Sequence, residues 1–351
     1  MTAVPLSTHQ HIQPLFEGPV DIVGDIHGEI GALEALLARL GYSLDGRHPA
    51  GRRLVFLGDL VDRGEDSPAV VECVAEMVVA GRAQCVLGNH ELNLLRREHK
   101  EGNGWFWPEE ADHDRATGNF KASARATSRQ RDQFLAWFDT LPVALERPDL
   151  RVVHACWDRD AMDRLRRSGL RPSRAYDAFD DEIAAALESN RMSDRREHEL
   201  AEWGDHLHDA RAPVPMLAGV AAIDTLRQSG HPLRAATSGL ERPAPAPFFA
   251  AGKWRMNERV AWWEEYEESP AVVFGHYWRR PEKALTAGLP TAAPDLFGGA
   301  EPFQWLGPRR NAMCVDWCVG LRWRERLAGA KSHGGKLGAL RWNEGEIVLD
   351  S

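Results

Sequence analysis

Five times in this chain a short apolar run ends in side chains able to hold a metal ion or move a proton. The clusters are Gly24-Asp25-Ile26-His27-Gly28, Gly58-Asp59-Leu60-Val61-Asp62-Arg63-Gly64, Gly88-Asn89-His90-Glu91, His154 and Gly275-His276. They supply two or three carboxylates, one carboxamide and four imidazoles, and no cysteine. This mixed oxygen and nitrogen set suits manganese, iron or zinc and suits calcium poorly. It is enough for two metals sharing a bridging carboxylate, an arrangement that activates water at neutral pH and neutralises phosphoryl oxygens. An arginine beside it offers a forked donor that matches two phosphate oxygens. A histidine not spent on metal can protonate a leaving oxygen if a carboxylate orients it.

Such groups meet only if strand ends converge, as they do in layered α/β folds, where the loops at the carboxyl ends of strands share one crevice. The first half of the chain has that pattern. Val20 to Gly24, Arg53 to Gly58 and Ala83 to Gly88 read as buried strands. Ile30, Leu33, Leu36, Leu37 and Leu40 share a helical face that Gly41 can terminate. Ser67 and Pro68 read as N-cap and first residue of a helix burying Val70, Val71, Val74, Met77 and Val78, and Asn89 to His99 as the next helix. Gly102 to Arg131 breaks the pattern and reads as a long loop near the site. Its Trp105, Phe106 and Trp107 are expected to fold onto their own domain, with stacking on a nucleobase as the alternative.

Further strands are expected at Pro142 to Leu145, Arg151 to His154 and Ala271 to Gly275, with a helical segment from Asp158 to Trp203. The Pro- and Ala-rich stretch from Asp205 to Lys253 reads as irregular. Ala312 to Trp317, Lys336 to Trp342 and Glu346 to Leu349 are expected to form a final antiparallel set with a turn at Asn343-Glu344-Gly345.

The composition is that of a globular protein, 43% hydrophobic and 27% charged in 351 residues. A net charge of −9 argues against a protein that grips a nucleic acid backbone by bulk attraction. The five cysteines, Cys73, Cys85, Cys156, Cys314 and Cys318, have no zinc-ribbon or redox spacing, so reduced thiols in a cytoplasm are expected. No leader or membrane-spanning run is apparent, and no membrane partner is expected.

The five clusters, in this order, resemble the calcineurin-like metallophosphoesterase superfamily, and most of all its bacterial phosphoprotein phosphatase and diadenosine tetraphosphatase branch. The resemblance implies that Asp25 and His27 bind a first metal, that Asp59 bridges both, and that Asn89, His154 and His276 complete the second site. It implies His90 as general acid, Asp62 as the carboxylate orienting it and Arg63 as a phosphate ligand. A metal-bound hydroxide is then the nucleophile, with no phosphoenzyme intermediate. Arg255 is taken as a second substrate-binding arginine, with Arg234, Lys253 and Arg279 as alternatives. The chain departs from the family at Trp278, where many members carry a second histidine, and at Ala155-Cys156 after His154. Leu87 stands where eukaryotic members carry arginine, which implies a bacterial chain.

The expected fold is thus α/β, a four-layer α/β/β/α sandwich of two mixed sheets flanked by helices. Residues 19–351 are read as one domain with insertions at about 100–131 and 205–255, and residues 1–18 as an N-terminal extension. The expected cofactors are two divalent transition ions, manganese first and iron or zinc as alternatives. The expected activity is hydrolysis of phosphomonoesters of the Ser/Thr phosphoprotein kind or of a phosphorylated small molecule. A diadenosine tetraphosphatase-like hydrolase is the alternative, and a non-catalytic metal-binding interaction protein is a third reading. The last is disfavoured because His90, Asp62 and Arg63 would have no use in a scaffold.

Overall fold

In a computed structural model the chain is described over residues 8–100, 102–110, 123–188, 192–250, 252–281 and 295–351. Two five-stranded mixed sheets form its centre. One holds, in spatial order, β1 (Ile12–Pro14), β5 (Ala144–Arg147), β6 (Leu150–Val153), β9 (Ala271–Phe274) and β10 (Ala312–Cys314). The other holds β12 (Glu346–Leu349), β11 (Gly338–Trp342), β2 (Val20–Val23), β3 (Arg53–Phe56) and β4 (Ala83–Cys85).

Alternation along the strands sets the layering. Val20 and Ile22 of β2, Val55 of β3 and Leu340 of β11 share one cluster with Leu150 and Val152 of β6, Val273 of β9 and Met313 of β10. These are the inner faces of two sheets packed on one another. Their neighbours on the opposite faces, Val23, Leu54, Phe56, Val153, Val272 and Phe274, join a larger cluster with helical residues. Burial of each such Val, Leu, Ile or Phe contributes about 1.5–3 kcal/mol.

The helices expected after the first strands are present. α1 (Ile30–Leu40) buries Leu33, Leu36, Leu37 and Leu40 and ends at Gly41 in the left-handed conformation. α2 (Ser67–Val79) differs at its start: Asp66 is the N-cap, accepting from the Ala69 N–H at 2.9 Å. Ser67 turns back instead, its Oγ accepting from the Asp62 N–H. Val78 is only half-buried. α3 is shorter than expected, Asn89–Leu95, and α4 (Ser128–Phe138) follows the loop. The helical segment divides into α5 (Arg159–Ser168), α6 (Pro172–Glu188) and α7 (Met192–Trp203).

Three expectations are corrected. Ile12–Pro14, read as part of an extension, is an edge strand parallel to β5. The stretch read as irregular contains α8 (Ala218–Ser229), α9 (Pro232–Ser238) and the hairpin of β7 (Glu241–Ala250) with β8 (Lys253–Arg259). Pro243, Pro245 and Pro247 are alternate residues, so their missing N–H groups fall on one edge, which a two-stranded ribbon leaves free. The register slips between Pro243 and Phe248. Finally, β10 is not in the terminal antiparallel set but lies parallel to β9 in the other sheet. A parallel neighbour needs a long crossover, and residues 275–311 supply it. β11 and β12 do pair antiparallel across the expected turn. Among the described residues, α10 (Arg322–Leu327) is the last helix, and no helix is long and apolar enough to cross a membrane.

Candidate metal centre

Strands β2, β3 and β4 are mutually parallel in one sheet, and β6, β9 and β10 in the other. Each of the first five runs directly into one of the polar clusters, and the ends of both sheets meet. The approach is close: a Cβ on Gly24 would fall 2.1 Å from the Val315 carbonyl, and one on Gly275 would fall 2.1 Å from Asp25 Oδ1. Only glycine admits both contacts. Asp25, His27, Asp59, Asp62 and His154 are buried, while Arg63, Asn89, His90 and His276 are half-buried. His27, Asp59, Asp62, Arg63 and His276 all hold positive φ. Sparsely populated conformations of this kind cost of order 1–3 kcal/mol each and persist where the surroundings over-determine them.

Two groups of ligand atoms result. Asp59, His154 and His276 bring theirs within 4.8 Å of one another. His154 Nδ1 donates to the Leu57 carbonyl at 2.7 Å, which leaves its Nε2 lone pair facing Asn89 Oδ1 at 3.2 Å and Asp59 Oδ1 at 3.4 Å. His276 Nδ1 is 2.9 Å from the same Asn89 oxygen. In this amide orientation three lone pairs converge, which suits a cation, whereas the amide turned over would donate to both rings. The buried Nε2 of His276 has no protein partner.

The other group centres on His27. Its Nδ1 donates to the Val61 carbonyl at 3.1 Å, and its Nε2 is 3.9 Å from both Asp25 Oδ2 and Asp59 Oδ2. With Asp59 and His90 it forms the second group, whose ligand atoms lie within 4.8 Å of one another; Asp25, expected as a ligand here, is beside this group and not among its members. Arg63 Nη1 donates to His27 Nε2 at 2.7 Å, so guanidinium and metal would compete for that lone pair.

The electrostatics also favour bound cations. Burial, with the Asp316 carboxylate alongside, pushes Asp25 well above the usual carboxylate range. Burial opposes charge on His154, but the Asp59 carboxylate outweighs it and lifts the ring to about 10, so a cation binding at Nε2 would take the place of a proton. The pocket thus draws positive charge to its carboxylates, and the residues fit a pair of divalent ions in both donor type and convergence.

His90 is held differently. Its Nδ1 donates to Asp62 Oδ2 at 2.5 Å, and its Nε2 faces the cavity 3.7 Å from Asp59 Oδ2 and 3.3 Å from Arg63 Nη2. Burial works against its charge, but the carboxylates of Asp59 and Asp62 prevail and hold it above its ordinary value. The Arg63 guanidinium lies over the Trp278 ring at 4.9 Å.

Four residues have supporting roles not assigned from the sequence, although it places Glu91 in the third cluster and Trp105 in the loop near the site. Glu91 accepts from the backbone N–H groups of Asp59, Leu60 and Gly88 at 2.9, 2.8 and 3.1 Å, tying the second cluster to the third. Burial, with Asp59 nearby, pushes it up to about 7. Its place in the first turn of α3, reaching back to the residue before the helix, is a capping pattern that could have revealed it. Asp316 follows β10 and accepts from the Trp278 and Cys318 N–H groups at 2.8 and 3.0 Å. It is a sixth polar group at a strand end, hidden by the assignment of β10 to the wrong sheet.

Asn103 and Trp105, in a short 3-10 turn (Asn103–Trp105), both donate to Asp62 Oδ1, the amide at 2.8 Å. Trp105 is buried and Trp107 stacks on His99 at 4.8 Å, so the loop aromatics do fold onto their own domain. Residues 111–122 of that loop lie outside the described residues.

Among the candidate substrate arginines, Arg279 is buried and donates to the Glu301 and Gln304 carbonyls, and Arg234 donates to the Tyr176 hydroxyl. Arg255 is outside the cluster, exposed on β8, and lines the same cavity as Arg63 and His90. All five cysteines are free.

Because both hydrogen bonds to Asp62 Oδ1 come from one turn, Trp105→Phe removes one donor while keeping the ring. A hydrogen bond to a charged group is worth about 1.5–3 kcal/mol, part of which orients Asp62. The expected result is a roughly three- to tenfold lower kcat on an alkyl phosphate, with KM and an activated aryl phosphate little changed. Steady-state kinetics on the two substrates check this.

The family model for calcineurin-like phosphoesterases matches residues 18–191, which carry four of the five clusters. The chain belongs to this family. Among curated relatives, the asymmetrical bis(5'-nucleosyl)-tetraphosphatase PrpE of Oceanobacillus iheyensis is 30% identical over 140 residues, covering 39% of this chain and 54% of the relative. That of Bacillus subtilis is 34% identical over 143 residues, covering 38% and 56%. The chain thus spans about half the length of these relatives. A solved cold-active protein-tyrosine phosphatase of a Shewanella species shares 14% identity, with 98% of this chain and 83% of that one covered and a TM-score of 0.43.

Proposed function

We propose that this calcineurin-like phosphoesterase hydrolyses nucleoside polyphosphates of the dinucleoside tetraphosphate kind at a centre for two divalent transition ions, manganese by preference. One observation carries the hydrolytic reading: the His90–Asp62 pair and Arg63 stand against the same cluster as the converging ligand atoms. Asp25, His27 and Asp59 would hold one ion and Asp59, Asn89, His154 and His276 the other. Bound there, the ions would supply an activated water and positive charge for the phosphoryl oxygens.

The rest falls to the chain's own groups. Arg63 presents its fork to two phosphoryl oxygens. His90, kept protonated by its carboxylate neighbours, gives its Nε2 proton to the leaving oxygen, while Asp62 fixes the ring through Nδ1. Asp59 accepts the His90 backbone N–H at 3.0 Å and so couples the ligand set to the acid.

Two facts support a polyphosphate over the simple phosphomonoester placed first from the sequence. The curated relatives are bis(5'-nucleosyl)-tetraphosphatases. The cavity shared by Asp59, Arg63, Asn89, His90 and His276 has a volume of about 900 Å³ and extends to the β7–β8 hairpin, the scale of a site for a large organic ligand.

Manganese-loaded protein should show kcat/KM at least about tenfold higher for diadenosine tetraphosphate than for a phosphopeptide at fixed salt, equivalent to ~1.4 kcal/mol of transition-state stabilisation. Preference for the phosphopeptide would restore the phosphomonoester reading.

A further inference from the structure

The hairpin side of the cavity carries charge that the hydrolytic centre does not use. Lys253, Arg255 and Arg259 are two and four residues apart on β8, so with Asn257 they share one face. At ~3.4 Å per residue the row extends about 20 Å, far beyond one phosphoryl group. All three line the cavity. Arg259 is the member nearest the centre, its guanidinium 5.8 Å from the ring of Tyr277, the residue after His276.

Among the described residues no carboxylate is within ion-pairing distance of any of the three. The acids on this wall are Asp224, Glu241 and Asp295. Burial raises both Asp224 and Glu241 above their ordinary values, and the charges of Lys253 and Arg255 on the first and of Arg259 and Arg255 on the second oppose that rise without forming an ion pair. Phe248 is directly across the ribbon from Arg255 and also lines the cavity. Its neighbour Phe249 packs against Trp254 with ring centroids 5.8 Å apart. In a chain of net charge −9, this places cations without ion-pair partners among the described residues beside a half-buried aromatic ring on the hairpin wall of the cavity.

We propose that the β7–β8 hairpin is a binding arm for the part of a nucleoside polyphosphate that is not attacked, with Lys253 and Arg255 holding remote phosphates and Phe248 stacking on a base. This rests on the polyphosphate reading above and adds the residues that would confer it. Phosphate oxygens match both the guanidinium fork and the ammonium charge. An aromatic face supports a base of any kind, since every base has a π-face to stack on it.

The test uses the full manganese-loaded chain with 4-nitrophenyl phosphate as reporter, since that ester has neither a remote phosphate nor a nucleobase. Inorganic tripolyphosphate and ADP serve as competitive inhibitors, and diadenosine tetraphosphate as substrate. In Lys253→Ala the inhibition constant of tripolyphosphate should rise at least fivefold. In Phe248→Ala that of ADP should rise at least fivefold and that of tripolyphosphate less than twofold. KM for diadenosine tetraphosphate should rise in both variants, while turnover of the reporter certifies that each has folded. Unchanged inhibition constants in both variants overturn the arm, as does a loss on the reporter equal to the loss on the dinucleotide. If the wild-type chain does not cleave diadenosine tetraphosphate, the polyphosphate reading falls, and the tripolyphosphate and ADP constants still decide whether the arm binds.

Discussion

His90→Asn should lower kcat on a poor leaving group by the ~10² to 10⁴ typical of losing a general acid, and leave the metal content intact. The expectation follows from how the ring is divided. Nδ1 is committed to Asp62 at 2.5 Å, and Nε2 faces the cavity between Asp59 and Arg63. The neighbouring carboxylates overcome burial and keep the imidazole protonated above its ordinary range, the form a general acid needs. An aryl ester with an activated leaving group requires no proton, so its loss should be much smaller. His90 also lies within reach of His27 and Asp59, which makes a ligand role the competing explanation. Metal analysis of the variant separates the two: loss of an ion assigns His90 to the metal, and equal losses on good and poor leaving groups remove the acid role.

Asp59→Asn is expected to be the more damaging change. Asp59 is the carboxylate common to both ligand groups, with Oδ1 3.4 Å from His154 Nε2 and Oδ2 3.9 Å from His27 Nε2. It also keeps a charge that burial opposes and that the His154 and His90 rings sustain. Replacing it with a neutral amide removes negative charge from both ion positions at once. Metal content should drop for both ions, and activity should fall by more than the ~10- to 100-fold that loss of a supporting hydrogen bond around a metal typically costs. The backbone N–H groups held by Glu91 and the left-handed turn are kept by asparagine, which tolerates that conformation, so thermal unfolding should show a folded protein. A variant with two tightly held ions and near wild-type activity would sink the bridging assignment.

The residues that converge on the candidate site are legible in the sequence because their signal is local. A short apolar run followed by glycine and a polar group describes a buried strand emerging at an edge, and each of Asp25, Asp59, Asn89 and His276 obeys it, while His154 follows its apolar run directly, without the glycine. Helix α1 was legible for the same reason, since its buried face repeats within eleven residues and ends at a glycine. Tertiary structure decided what depends on distant partners. The supporting roles of Glu91, Asn103 and Trp105 are invisible until their hydrogen bonds to Asp59, Leu60 and Asp62 are drawn. Strand β10 is buried on both faces, so its pattern carries no information about which sheet it joins, and Asp316 was lost with it. The prolines of β7 suppress every local strand signal, yet alternate spacing lets a two-stranded ribbon accept them. That ribbon places Lys253, Arg255 and Phe248 in the cavity of His90 and Arg63, a juxtaposition set by long-range packing that no window of sequence contains.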